Sequence, residues 1–124
     1  MMRAMNTRPI TLYGISNCDT VKRARAWLAA QEQACQFIDF KKHGVPEDRL
    51  DAWLDALGWQ PLLNTRGSTW RQLDAASQAG VTDAPSAKTL MLAQPSVIKR
   101  PVVEWTDGAV SVGFNAQDWP ARIG

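Results

Sequence analysis

Two hydrophobic periods follow each other along this chain. Ile10 to Gly14 is a short apolar run ending in glycine, the pattern of a buried strand. Ser16, Asn17, Asp19 and Thr20 then offer capping side chains, and Val21, Ala24 and Leu28 recur at three, four and seven, one face of an amphipathic helix. Cys18 therefore falls at or beside the N-cap of that helix. A second strand is predicted over Cys35 to Phe40, with Phe37 and Asp39 alternating against Ile38 and Phe40. Strand, helix and strand are most economically a right-handed β-α-β unit, so the two strands should pair in parallel.

The period then turns helical. Pro46, Glu47 and Asp48 open a helix that carries Leu50, Trp53, Leu54 and Leu57 before Gly58 stops it. Two more helices are predicted, from Ser68 to Ala79 before Gly80 and from Asp83 to Ala93 before Pro95. Val102 to Trp105, a Thr106-Asp107-Gly108 turn and Ala109 to Phe114 read as a β-hairpin, and Ala116 to Ile123 as a short closing helix. This order gives the fold class: α/β, a thioredoxin-like fold with a four-stranded mixed sheet. Residues 1–124 form a single domain in this reading, with about 44–95 as a helical subdomain inserted in it.

Composition narrows the function classes. A chain of 124 residues can bury one core and is too short for two. With 45% apolar and 21% charged residues, neither a disordered chain nor a membrane protein is indicated. A net charge of +2 falls short of the basic patch that a phosphate backbone requires, so no nucleic-acid partner is expected. Met1 to Pro9 holds Arg3 and Arg8 but no apolar stretch of a secretory signal, which points to the cytoplasm. The two cysteines, Cys18 and Cys35, and the single histidine, His43, are too few for a disulfide framework or a closed zinc site, and no metal is expected.

Chemistry centres on Cys18. A helix N-terminus carries roughly half a positive charge and free N–H groups, which favour a thiolate, and Lys22, Arg23 and Arg25 could add positive potential nearby, although most of them are expected to point to solvent. Position alone leaves a reactive thiolate and a buried structural cysteine both open. Val21 stands where a C-x-x-C motif has its resolving cysteine, so a second thiol must come from elsewhere. Ala24 stands where the C-x5-R phosphatase loop needs arginine, which disfavours a phosphotyrosine phosphatase. Cys35 reads as a small apolar core residue without a role.

Arg66 in LLNTRGST and Arg100 in VIKRPVV are loop guanidiniums suited to forked recognition of a carboxylate or oxyanion and to holding a thiolate, a solvated surface charge being the plainer alternative. Lys99 is a weaker candidate for the same anion site, and Asn17 beside Cys18 is counted with them. His43 reads as an exposed loop residue. Trp27, Trp53, Trp59, Trp70, Trp105 and Trp119 mostly read as core, and Asp39 and Asp74 have no partner for a carboxylate dyad.

Taken together, LYGISNCDTVKRAR, LGWQPLLNTRGSTWR and IKRPVV resemble the glutaredoxin-linked arsenate-reductase-like family, nearest its YffB branch, over nearly the whole chain after the leader. The resemblance implies a thioredoxin-like fold with a helical insertion and Cys18 as nucleophile. It implies an anion site with Arg100 and Pro101 joined by a cis bond, and Arg66 as a second anion-binding arginine. The function implied first is a glutathione-dependent thiol oxidoreductase acting on a small thiol, disulfide or oxyanion. An Spx-like regulator that binds a protein such as RNA polymerase is the alternative, although Val21 removes the C-x-x-C switch common among those relatives. Arsenate reduction ranks third, because the family's true reductases carry an arginine in the last hairpin strand where VSVGFN has Gly113 and Phe114.

Overall fold

The computed structural model describes residues 9–123; the leader apart from Pro9 lies outside them. In chain order the elements are β1 (Ile10–Gly14), α1 (Asp19–Ala30), β2 (Cys35–Asp39), α2 (Phe40–His43), α3 (Glu47–Leu57), α4 (Trp59–Leu62), α5 (Ser68–Arg71), α6 (Ala75–Ala79), α7 (Ala84–Ala93), β3 (Val102–Glu104), β4 (Val110–Val112) and α8 (Trp119–Ile123). The described residues form two compact units: a sheet unit of 9–39 with 100–123, and a helical unit of Phe40–Lys99.

In the sheet unit the strand order is β2-β1-β3-β4. β1 pairs in parallel with β2, antiparallel with β3, and β3 antiparallel with β4, so the expected four-stranded mixed sheet of a thioredoxin-like α/β fold is present. Val21, Ala24 and Leu28 are the buried stripe of α1, as their spacing requires. They meet Ile10, Leu12, Val103, Trp105 and Trp119 in one core. Trp119 anchors the closing helix there, edge-on to both Trp105 and Phe114 at 4.8 Å between ring centroids. At Gly14 β1 lies close against α1: a Cβ at that position would lie 2.8 Å from Val21 Cγ2.

The helical unit buries Leu50, Trp53, Leu62, Ala87, Met91, Val97 and Ile98. Asp83 caps α7 in a reciprocal capping box with Ser86, which is why that helix starts where the sequence places it. Lys88 of α7 bridges Glu47 and Asp51 of α3, each at 2.8 Å.

Several boundaries differ from the sequence reading, each for a local reason. β2 ends at Asp39 and Phe40 opens a short helix, its ring buried against Trp53. The single helix expected over Ser68 to Ala79 is two, α5 and α6, because the Asp74 carboxylate accepts the Ser77 N–H at 2.7 Å and caps a new helix rather than continuing the old one. α4 was not anticipated; at 4 residues it is too short to show a period, and it follows Gly58 at φ 82°. The closing helix begins at Trp119 rather than Ala116, since Asn115 Oδ1 accepts the N–H groups of Gln117 and Asp118 and shapes a turn first. Of the tryptophans, Trp53, Trp105 and Trp119 are buried, while Trp27, Trp59 and Trp70 are only partly so. Among the described residues no helix is long and apolar enough to cross a membrane.

Candidate active site

β1 delivers the chain into a turn at Ser16 and Asn17, and Cys18 caps α1 with extended backbone at φ −92° and ψ 126°. Its N–H donates to Ile15 O at 3.2 Å and its carbonyl accepts the Lys22 N–H at 2.9 Å, so backbone bonds on both sides fix the residue. The sulfur makes no geometrically complete cap hydrogen bond and is half-buried, yet the first-turn N–H groups act on it. Burial, the largest single influence, pushes the thiol up. The Val21 N–H, the hydrogen bond and charge of Arg100, and the Thr20 N–H together outweigh burial and hold Cys18 below the ordinary thiol value.

Arg100 precedes β3, and its peptide bond to Pro101 is cis. Pro101 is buried, the Arg100 Nε lies in the interior, and the Pro101 carbonyl accepts the Gly113 N–H at 2.9 Å, which ties the end of β4 to this segment. The cation acting on Cys18 is therefore Arg100. Lys22, Arg23 and Arg25 are all exposed, as expected for most of them, and Arg25 lies over the Phe37 ring at 4.2 Å with its charge acting on Cys35.

Cys35 pairs in register with Ile10, at the end of β1 remote from Gly14 and the Cys18 loop. Four strand steps of about 3.3 Å put roughly 13 Å of strand between those ends. Burial pushes the Cys35 thiol up, offset only in part by the Arg25 charge and the Leu12 N–H. The two cysteines thus titrate in opposite directions from the same reference, and both are free.

The remaining candidates divide between the units. Asn17 is exposed in the turn before Cys18. Arg66 and Lys99 belong to the helical unit, where both line a recess of about 300 Å³. That recess also takes Asn64 and Gln60, which the sequence reading passed over; the turn-forming string Asn64-Thr65-Arg66-Gly67 was the available signal. His43 is exposed, and among the described residues no three His, Cys, Asp or Glu side chains are gathered as metal ligands.

A thioredoxin-like sheet that feeds a thiolate-favouring cysteine onto a helix N-terminus, with an arginine ahead of a cis-proline acting on the sulfur, defines the class as arsenate-reductase-like. Residues 13–121 match the ArsC family, and the chain belongs to it. It is similar to a solved YFFB protein, 44% identical with a TM-score of 0.87 over 93% of this chain and 99% of that one. An arsenate reductase (ArsC) related protein from Brucella melitensis is also 44% identical, with a TM-score of 0.72 over 94% and 95% of the two chains. An uncharacterized protein of Haemophilus influenzae is 37% identical over 114 residues, 92% of this chain and 98% of its own length. The global transcriptional regulator Spx of Streptococcus pyogenes is 25% identical over 117 residues, 88% of this chain and 81% of the regulator.

Proposed function

We propose that the protein is a cytoplasmic glutathione-dependent thiol oxidoreductase with Cys18 as its nucleophile. The observation that carries this reading is the action of Arg100 and the α1 N-terminus on one sulfur, which favours the thiolate, the attacking species. With a mixed disulfide of glutathione and a small thiol as substrate, Cys18 S⁻ attacks the glutathione sulfur. The substrate S–S bond breaks, a Cys18–glutathione disulfide forms, and the small thiol leaves as a thiolate that takes a proton from water. A second glutathione thiolate then attacks the bound glutathione sulfur, releasing oxidised glutathione and restoring Cys18 S⁻. The net exchange consumes one glutathione thiol: the glutathione sulfur of the mixed disulfide leaves in oxidised glutathione, the small thiol leaves reduced, and no second cysteine of this chain is required. That suits Val21 at the C-x-x-C position and Cys35 at the far end of β1.

The test is turnover: glutathione-coupled reduction of such a disulfide is readily measured for the unmodified protein and abolished in Cys18→Ser. Equal turnover by Cys18→Ser refutes the reading. Arsenate is the poorer substrate, by at least about tenfold or 1.4 kcal/mol in barrier, because the hairpin presents Gly113 and Phe114 where a third cation is needed for the added charge.

The similarity to Spx over most of the chain favours one second reading, a regulator that docks on a protein such as RNA polymerase. A polymerase pull-down that is insensitive to Cys18→Ser, together with no thiol turnover, selects it.

A further inference from the structure

The end of β4 does not follow the strand it belongs to. Val103 and Trp105 of the β3 segment face the core shared with α1. Ser111 is the register partner of Val103, and its Oγ accepts the Trp105 Nε1–H at 2.9 Å, so Ser111 lies on that same face. Strict alternation then sends Val112 and Phe114 to the opposite face. Phe114 instead packs on the α1 side, its ring centroid 4.8 Å from that of Trp119 and 6.4 Å from that of Trp27 on α1 itself. The reversal falls at Gly113, whose φ of 86° is left-handed backbone that glycine adopts without steric cost. The Gly113 N–H, meanwhile, donates to Pro101 O at 2.9 Å, one step beyond the last ladder pair of β3 and β4, Val102 with Val112.

Two ties thus meet at one residue, and every residue in them belongs to the sheet unit. Through its N–H, Gly113 holds the segment that begins with Arg100. Through the turn it makes, it lays Phe114 against Trp27, and so against the helix whose N-cap is Cys18. Arg100 lies two residues outside the last β1–β3 pair, Tyr13 with Val102, so its approach to Cys18 depends on what holds that overhang. We infer that Gly113 is a positioning residue, which sets the Arg100 guanidinium against the Cys18 sulfur by tying the overhang to β4 and β4 to α1. The inference rests on the thiol oxidoreductase reading only in taking Arg100 and Cys18 as partners. A side chain at position 113 disfavours the left-handed backbone, and its relief draws the N–H off Pro101 O and lifts Phe114 from Trp27.

The test follows Cys18 alkylation by iodoacetamide against pH in the full chain, read by tryptic peptide mass with Cys35 as internal reference. Gly113→Ala should raise the Cys18 midpoint by at least about half a pH unit, roughly threefold in thiolate at a fixed pH below it. Gly113→Asn, which tolerates left-handed backbone better, should raise it less. Phe114→Ala should move it the same way, because the tie to α1 is loosened. Ser111→Ala, which costs the hairpin a side-chain bond but neither tie, is expected to leave the profile in place. In an Arg100→Met background Gly113→Ala should add no shift, since it acts through the guanidinium. An unmoved profile in Gly113→Ala or Phe114→Ala, an equal shift in Ser111→Ala, an asparagine variant no better than the alanine one, or a full Gly113→Ala shift persisting in the Arg100→Met background each overturns the inference. Circular dichroism checks that each variant is folded; if Gly113→Ala is not, Gly113→Asn and Phe114→Ala carry the same test. Alkylation involves no glutathione, so the two readings fail separately: lost turnover with a moved profile refutes the oxidoreductase alone, and intact turnover with an unmoved profile refutes the positioning alone.

Discussion

Gly14→Ala is a one-carbon change at the contact that sets Cys18 in place. The added Cβ would meet Val21 Cγ2 at 2.8 Å, with Cγ1 at 3.6 Å and Cβ at 3.8 Å. Carbon atoms pack comfortably at about 3.5 to 4.0 Å, so about 0.7 to 1.2 Å of separation must be found. Val21 is fully buried and, being β-branched on a helix, has one strongly preferred rotamer, so it cannot swing aside cheaply. The remaining relief is to lift the first turn of α1 off β1, and overpacking of this kind costs about 1 to 3 kcal/mol. Reduced freedom of the unfolded chain returns about 0.4 to 1 kcal/mol, leaving a net loss of about 1 to 2 kcal/mol. In a domain of this size that lowers Tm by roughly 4 to 10 °C.

Val21→Ala alone should also destabilise, through the cavity left by its two methyl groups, by about 1 to 2.5 kcal/mol. In the double variant the new methyl fills part of that cavity, so its loss should fall short of the two single losses together by at least about 1 kcal/mol. Urea unfolding followed by tryptophan fluorescence measures all four proteins. Since the Val21 N–H helps hold Cys18 as thiolate, Gly14→Ala should also move the Cys18 titration upward. Gly14→Ala as stable as the unmodified protein, or strictly additive effects of the pair, would refute the close-approach argument.

Three further outcomes are expected. Iodoacetamide should label Cys18 faster than Cys35 at neutral pH, and Arg100→Met should shift the Cys18 profile to higher pH; an unmoved profile removes Arg100 from the site. The two thiols should couple to stability with opposite sign. Cys18, held low in the folded state, adds stability above its unfolded value of about 8.5 that is lost as pH falls through its depressed folded value. Cys35, held high, adds stability below that unfolded value that is lost as pH rises through its raised folded value, so the deficits of Cys18→Ser and Cys35→Ser should diverge in alkaline denaturant titrations. Trp119→Ala, which empties a site 1% exposed and edge-packed on three rings, should cost about 3 to 5 kcal/mol in the same unfolding assay, and a loss under about 1 kcal/mol would contradict its anchoring role.

Elements whose signal lies in their own residues were legible. β1 and α1 declare themselves through an apolar run and a three-and-four spacing, and α7 through a cap and a following proline. What escaped depends on single side-chain bonds or on lengths below one period: the Asp74 cap that splits α5 from α6, the Asn115 turn that delays α8, and the four residues of α4. The site divides the same way. Cys18 is readable as an N-cap because its neighbours state the helix. Which cation reaches its sulfur is only partly so: the loops of Arg66 and Arg100 both suit a thiolate, and the choice of Arg100 comes from β3 pairing with β1, which has no local trace. The recess residues Asn64 and Gln60 likewise owe their place to the bridge between Leu63 and Ile98, a long-range pairing with no periodic trace.

The central claim is that Cys18, and not Cys35, is a reactive thiolate matched to glutathione. The most direct measurement is the mass of tryptic peptides after the folded protein is incubated with oxidised glutathione at neutral pH. One glutathione on the Cys18 peptide, removed by reduced glutathione and absent from the Cys35 peptide, is the predicted result. An unmodified Cys18 peptide, or an adduct carried by Cys35 instead, would contradict it.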